Sequence, residues 1–306
     1  PANWNAKDSL PDPEDRKIWS VIKDADYRVD YNNFVDTNSD EIKNSLRIFN
    51  FEVMDYHSLT GPLNTSRCAS TAGVEDGNED DVKGLINFLR GEDYFDYNGN
   101  CILNESRLDE NGDKIYLGDF YHSELLVVGA PSANIAFTSQ SQEAYWRSIN
   151  DYGSFAEENK DRKEIIYVGG NDGMLHAFNS ENGQEEWAFI PPLLVGNLPT
   201  MVDKALNKNA GGGTNAIYGV DGSPIVHDIF FDHPLLSVAG GKDWYTILMI
   251  PYGRGGNGFS ILDVTDPEEP LHLYSVYNDA VSKIVNVIDY NGDIETYEYV
   301  AASYTI

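Results

Sequence analysis

Residues 164–192 constrain the fold of this chain more than any other part of its sequence. An apolar run rich in β-branched and aromatic residues precedes the turn GGNDG at 169–173, whose glycines supply the positive φ angles of a tight hairpin. A second strand is predicted over 174–179, and a third over 185–189 carries Trp187 as a large buried anchor. Three short antiparallel strands on tight turns make up most of one β-propeller blade. The predicted core of this unit consists of Leu175, Phe178 and Trp187.

A weaker copy of this pattern follows 84 residues later, where 259–267 aligns with 175–183. Strands are predicted over 245–251, 259–263 and 271–276, with a glycine turn at 253–258. Because a blade takes about 40–50 residues, this shift fits two blades. A fainter strand is predicted over 124–130. The fold class is therefore all-β, as an incomplete β-propeller with a few short helices in insertions, and the alternative is a generic β-meander with glycine turns.

The charge of the chain limits its partners. It carries 50 acidic and 21 basic residues among 306, a formal charge of −29. Such a surface repels phosphate backbones and anionic lipids, which argues against nucleic-acid binding and membrane association. Cations, especially Ca²⁺, are the natural small partners, although a solvated acidic surface explains the same charge. No apolar run approaches the roughly 20 residues of a membrane span.

The sequence is organised as one β-propeller-like domain over 1–306. Its parts are an N-terminal segment at 1–60, a helix and acidic loop insertion at 61–123, and blades at 124–306 with a long mobile surface loop at 193–216. Further elements are predicted as a strand at 16–22, helices at 40–48, 82–91 and 141–149, and strand-like sequence at 218–231. Because the chain lacks an initial Met and stops in strand-like sequence, we expect a fragment of a longer protein.

Oxygen-rich segments resemble parts of calcium loops, which place ligands at alternating positions. The candidate ligands are Asp96, Asn98, Asn100, Asn104 and Glu105 in one segment, and Asp109, Asn111 and Asp113 in the next. Residues 36–40 and 289–293 have related patterns. None combines Gly at position 6 with Glu at position 12, and Asn-Gly is also a common hairpin turn.

The two cysteines, Cys68 and Cys101, belong to no CxxC pair or zinc pattern. They pair as a disulfide in an oxidising compartment or remain two free thiols.

No HExxH, GxSxG or Walker A motif is present. His176 and His227 lie within strand-like runs and are interpreted as hydrogen-bonded structural histidines. Asp172 and Asp221 each precede a Gly in a turn, where backbone hydrogen bonding explains them better than acid–base chemistry. The sequence therefore favours a protein that is not an enzyme.

Several stretches, taken in order, resemble the PilC/PilY family of type IV pilus tip-associated proteins in its C-terminal β-propeller. They are WNAKDSL, RKIW, LINFLRGED, and the stretches at 117–131, 165–192, 218–231 and 253–270. The resemblance implies a modified seven-bladed propeller, of which this chain would hold the first three or four blades. It also implies a calcium loop downstream of DVTDP at 263–267, which we expect to lie beyond the end of this chain.

The same resemblance implies a non-enzymatic adhesin that supports pilus assembly and controls retraction. Its location would be extracellular, at the pilus tip or the outer surface of a Gram-negative-type bacterium. Its partners would be minor pilins and a host or environmental surface. The alternative is a PQQ-dependent quinoprotein dehydrogenase, whose propeller repeats also end on a Trp. That chemistry needs a complete ring of blades, and the adjacent Cys-Cys pair of many such enzymes is absent here.

Overall fold

A computed structural model describes residues 4–48, 78–93, 100, 102, 104–136, 141–202, 217–236 and 241–299. Within these residues the chain forms two sheets and several short helices. The α-helices are α1 Ala6–Ser9, α2 Ser39–Ile48, α3 Asn78–Arg90, α4 Gln142–Ile149 and α5 Tyr152–Glu158. Short 3₁₀ segments cover Pro13–Asp15, Tyr27–Val29, Asp36–Asn38, Pro192–Val202 and Gly253–Gly255.

The first sheet has the order β1-β5-β4-β3-β2, and the second has the order β11-β10-β9-β8-β7-β6. The strands of the first are β1 Ile18–Trp19, β2 Leu126–Val128, β3 Ile165–Gly169, β4 Leu175–Asn179 and β5 Glu185–Phe189. Those of the second are β6 Ile225–Phe231, β7 Asp243–Pro251, β8 Gly258–Asp263, β9 Leu271–Asp279, β10 Ile284–Asp289 and β11 Ile294–Glu298. We refer to β2–β5 as the first blade and to β6–β9 as the second blade.

The two blades share their antiparallel pairing and one irregularity. In the first blade the register between β4 and β5 shifts at Ala177/Phe178. In the second, the register between β8 and β9 shifts at Ile261/Leu262, 84 residues further on. A bulge of this kind re-aims the side chains that follow it. The repeat predicted from sequence therefore extends to a local backbone feature that residue patterns do not show.

The N-terminal segment adds to the first blade through β1, which pairs in parallel with β5. The strand predicted over 16–22 is reduced to two residues. Its edge away from β5 is bound by asparagine side chains and not by another strand. Asn32 Oδ1 accepts from the Ile18 amide at 3.3 Å, and Asn33 Oδ1 accepts from the Ser20 amide at 3.0 Å. Similarly, the predicted strand at 218–231 contracts to β6.

Three predicted helices are present, with shifted ends. The one predicted over 40–48 is α2, and the one over 82–91 is α3, which stops where Gly91 adopts a φ of 117°. The one over 141–149 is α4, capped by Ser141, whose hydroxyl accepts from the Ala144 amide at 3.3 Å. Helix α5 was not predicted.

The prediction of a mobile surface loop at 193–216 is wrong for its first part. Pro192–Val202 forms a 3₁₀ segment whose apolar side chains are buried, namely those of Leu193, Leu194, Val195, Leu198 and Met201. They join two hydrophobic clusters, one with α2 and α3 and one with the first blade. Burial of this apolar surface stabilises the segment without regular periodicity. Residues 203–216 lie outside the described residues.

The core of the first blade is aromatic. Leu175, Phe178 and Trp187 are buried, as predicted. A further core residue, not predicted from sequence, is Trp19, which is fully buried in the N-terminal segment. Its ring lies 4.5 Å from Phe189 and 5.8 Å from Trp187, so an aromatic cluster joins β1 to β5.

Glycines allow the turns of the two blades to lie backbone against backbone. The Val220 amide donates to Gly170 O at 3.1 Å. A Cβ atom on Gly169 would lie 2.1 Å from Val220 O, and one on Gly255 would lie 1.7 Å from Gly219 O. Gly169 is therefore required by close approach between the first blade and the segment that leads into the second blade, and Gly255 by close approach between that segment and the β7–β8 turn. We call the contact of Gly169 and Gly170 with Val220 the seam.

This seam predicts opposite effects for two glycine substitutions. Gly169→Ala should lower the free energy of unfolding by about 1–3 kcal/mol, because a backbone oxygen must move away. Gly153→Ala, in α5 with its nearest atom at 3.8 Å, should raise it by roughly 0.5–1 kcal/mol. Urea unfolding of both variants measures this, and equal effects would contradict the seam.

Candidate functional site

The most unusual polar feature is a chain of four buried ionisable side chains that lie within hydrogen-bond distance of one another. Arg16 Nε and Nη2 donate to the two carboxylate oxygens of Glu185 at 2.7 and 2.9 Å. His176 Nδ1 lies 2.7 Å from Glu185 Oε1, and its Nε2 lies 3.0 Å from Asp172 Oδ2. Each of the four is 5% exposed or less. We call Arg16, Glu185, His176 and Asp172 the charge chain.

Local structure brings these residues together from distant parts of the sequence. Asp172 sits in the predicted glycine turn and accepts from the Gly118 amide at 2.8 Å. His176 is on β4, and Glu185 opens β5 opposite Phe178, directly after the bulge. Arg16 precedes β1, and its Nη1 donates to the carbonyl oxygens of Leu89 and Arg90 at the end of α3. One guanidinium therefore satisfies both a carboxylate and a helix C-terminus.

The charge states follow from this geometry. Burial alone would lower the pKa of His176, but the charge of Asp172 and hydrogen bonds to Asp172 and Glu185 raise it to about 9. Burial likewise opposes ionisation of both carboxylates, yet His176 and Arg16 hold their pKa values below the usual range. At neutral pH the charge chain is therefore a row of alternating positive and negative side chains, and its four charges sum to zero.

The equivalent polar group in the second blade is neutral. Tyr252, Ser260, Ser275 and His272 form a buried series of hydrogen bonds of 2.7–2.8 Å. Burial lowers the pKa of His272 to about 3, so its ring is uncharged. His272 and Ser275 are both 0% exposed, so no substrate reaches this Ser–His pair.

A second Asp–His pair lies at the seam. His122 Nδ1 is 2.8 Å from Asp221 Oδ1, and the Glu124 amide donates to Ser223 at 3.1 Å. The segment that supplies Gly118 to Asp172 therefore also binds the second Asp-Gly turn. Asp172 accepts from the backbone amides of Gly118 and Met174, in agreement with its interpretation from sequence. The carboxylate of Asp221 instead pairs with the imidazole of His122, a side-chain contact that the sequence interpretation did not include.

The second candidate calcium segment forms a tight turn. Asp109 Oδ1 accepts from the amides of Asn111 and Asp113 at 2.8 and 2.9 Å, and Lys7 pairs with Asp113 at 2.7 Å. Asp289, Asn291 and Asp293 repeat this arrangement, with Lys23 paired to Asp293 at 3.0 Å.

In the first candidate segment, Asn100 donates to Glu105 at 2.7 Å, and the side chain of Asn104 is exposed. Asp96, Asn98, Cys68 and Cys101 lie outside the described residues, so the rest of this site and the disulfide stay predictions. Within the described parts of the chain, no three His, Cys, Asp or Glu residues are grouped to hold a metal ion. Calcium binding also stays a prediction.

Asp172 and His176 could be interpreted as structural from sequence, but their partners could not be identified there. Glu185 carried a usable signal, since it is an acidic residue at the start of an otherwise buried strand. Arg16 lies 169 positions from Glu185, and no local pattern connects them.

Among the described residues, no helix has the length and apolar character needed to cross a bilayer.

Two sheets, antiparallel except for the β1–β5 pair and meeting at glycine turns, define a β-propeller module. Residues 117–293 match the family described as PilY1 beta-propeller domain. This is more than half of the chain, and the chain belongs to that family.

Relatives in two bacteria are similar to this chain. Type IV pilus biogenesis factor PilY1 of Pseudomonas aeruginosa strain UCBPP-PA14 is 36% identical over 203 residues, covering 64% of this chain and 14% of that protein. A PilY1 homolog of Xylella fastidiosa strain Temecula1 is 35% identical over 151 residues, covering 49% of this chain and 11% of that protein. The chain thus spans a small part of these relatives.

The crystal structure of the Pseudomonas aeruginosa PilY1 C-terminal domain is also similar. Its TM-score is 0.32 at 25% identity, covering 58% of this chain and 38% of that one.

Removal of the guanidinium from the charge chain should be strongly destabilising. Arg16→Met leaves Glu185 buried beside fewer positive charges, and we expect a loss of about 3–5 kcal/mol in the free energy of unfolding. Arg16→Lys should recover part of it, because an ammonium keeps the charge but not the two parallel hydrogen bonds. Lys160→Met, which breaks an exposed pair with Glu157, is the control and should be neutral in urea unfolding. Equal losses for Arg16→Met and Lys160→Met would contradict the role of the charge chain.

The raised pKa of His176 predicts a loss of stability at alkaline pH. The folded protein keeps a proton that the unfolded chain releases near pH 6.5, so the stabilisation is complete below 6.5 and disappears as pH rises through about 9. The full effect is of the order of 3 kcal/mol. His176→Gln should remove the decline between pH 7 and 9, whereas His227→Gln, on the exposed face of β6, should keep it. Urea unfolding across this range tests both, and a decline that survives in His176→Gln would assign it to other groups.

Proposed function

We propose that this chain is the β-propeller part of a type IV pilus-associated factor that supports pilus assembly, opposes retraction and mediates attachment. The observation that carries the proposal is the family match over 117–293, together with relatives named type IV pilus biogenesis factors. The proposed location is extracellular, at the pilus tip or outer cell surface. The proposed partners are pilus components, including minor pilins, and a host or environmental surface.

The proposal also holds that the module is a scaffold and not a catalyst. Residue pairs that resemble catalytic machinery contribute to the core, as His176 with two carboxylates and His272 with Ser275 both do. His122 is partly exposed, but its hydrogen-bond partner among the described residues is the carboxylate of Asp221. Because these acid–base side chains are engaged in contacts within the fold, they support a binding role for the module and not a catalytic one.

The test is deletion of the gene in the source bacterium, with complementation by the full-length protein. We expect loss of surface pili and of attachment, with both restored by the wild-type gene. Repetition in a strain whose pili cannot retract separates the two roles: pili that return there indicate retraction control, and pili that stay absent indicate assembly. Complementation with Arg16→Met should fail in proportion to the loss of folded protein, while Lys160→Met should restore pili.

Two results would overturn this function. Normal piliation and attachment in the deletion strain would exclude the pilus role. A quinone absorbance band or dye-linked alcohol oxidation by the purified full-length protein would favour the quinoprotein dehydrogenase.

A further inference from the structure

A groove of about 480 Å³ runs between helix α4 and strand β6. This volume falls in the range of small-molecule sites in proteins. Its walls mix aromatic, charged and amide side chains, and Trp244 on β7 lies at its base. The residues that matter for recognition are Gln142, Glu143, Trp146, Arg147, His227 and Asp228.

The base of the groove is held in a fixed arrangement. Trp244 Nε1 donates to Asn150 O at 2.6 Å, directly after α4. The ring of Tyr152 packs edge-on against Trp244 at 4.9 Å, and its hydroxyl donates to Asp228 at 2.5 Å. These contacts hold the helical wall of the groove against its sheet wall. A ligand would therefore find both walls already ordered and would not lose binding free energy by ordering them.

The rim of the groove carries an aromatic surface that the fold does not use. Trp146 is 52% exposed, whereas Ala144 on the same helix is buried. An indole presents a flat apolar face together with one N–H donor. Trp146 is thus positioned to stack on a flat or ring-shaped ligand that enters the groove.

Charges around the groove are balanced. Arg147 Nη2 donates to Glu143 at 3.2 Å. Asp228 accepts from Thr246 at 2.7 Å, and Thr246 in turn accepts from Arg162 at 2.7 Å. Each of these two carboxylates is therefore offset by a guanidinium, and the described residues that line the groove leave no charge uncompensated to attract an ion. The overall charge of −29 further disfavours anions.

A ligand for this groove needs an apolar face for the indole and several neutral hydroxyl or amide groups for the donors and acceptors around it. A saccharide ring has both, with C–H bonds on one face and hydroxyl groups at its edge. We propose that the groove binds a neutral saccharide, stacked on Trp146 and hydrogen-bonded by the side chains of Glu143, Arg147 and His227. This site goes beyond the proposed pilus function and is tested independently of it.

The experiment uses the purified chain and four neutral probes: lactose, maltotriose, cellotriose and N,N′,N″-triacetylchitotriose. Saturation-transfer NMR and calorimetry should show saturable binding of at least one probe at millimolar concentration. Trp146→Ala should weaken it at least about tenfold, because the stacking surface is lost. Tyr145→Ala is the matched control, since Tyr145 is an equally exposed aromatic on α4 that does not line the groove. It should leave the affinity unchanged.

Three results would overturn the proposal. The first is the absence of saturable binding for all four probes, with the wild-type chain shown to be folded by circular dichroism. The second is equal affinity of wild type and Trp146→Ala. The third is tighter binding of sialyllactose than of lactose, because an anionic sugar should not be preferred by a charge-balanced groove. Trp146 is exposed, so its loss should not unfold the chain and confuse these outcomes.

Discussion

Four buried charges in alternating order hold the N-terminal segment against the first blade. Each ion of the charge chain is removed from water, a change that is unfavourable for any one of them alone. Together, Arg16, Glu185, His176 and Asp172 offset one another, and bidentate contact fixes their geometry. Because Arg16 also binds the end of α3, a single side chain sets how strand, helix and turn meet.

Both blades bury polar side chains next to the register shift, but the chemistry of these side chains differs. Both shift register at equivalent positions, and the shift leaves polar side chains facing each other between neighbouring strands. The first blade fills this space with ions, the second with hydroxyl groups and a neutral histidine. The ionic solution also recruits Arg16 from outside the blade. The ion pair of Arg16 with Glu185 thus adds to the short β1–β5 pairing in holding the N-terminal segment on the first blade.

Sequence reasoning succeeded where structure is local. Apolar runs bounded by glycine turns predicted β3–β5 and β7–β9, and helix patterns predicted α2, α3 and α4. It failed where contacts between residues distant in sequence determine the conformation of a segment. Pro192–Val202 has no periodicity and was interpreted as a surface loop, yet its apolar side chains are buried against other elements.

The candidate sites show the same division. Asp172 and His176 could be recognised as structural from their places in a turn and a strand. Their ionic partners could not, because Arg16 approaches Glu185 only through the tertiary fold. In the same way, the turn at Asp109 could be predicted, but the lysine that pairs with Asp113 could not, since Lys7 lies 106 positions earlier in the sequence.

The position of the helical insertion shows how the proposed saccharide site is compatible with intact blades. Helices α4 and α5 lie between β2 and β3 in sequence, but they pack on the second blade through Tyr152, Phe155 and Trp244. Their contacts with the sheets therefore use one aromatic cluster and leave the charge chain untouched. Substitutions on the exposed face of α4 change the surface beside β6 and leave the charge chain as it is. Insertions of this kind are surface segments in which recognition chemistry can vary while the blades and the charge chain keep their contacts.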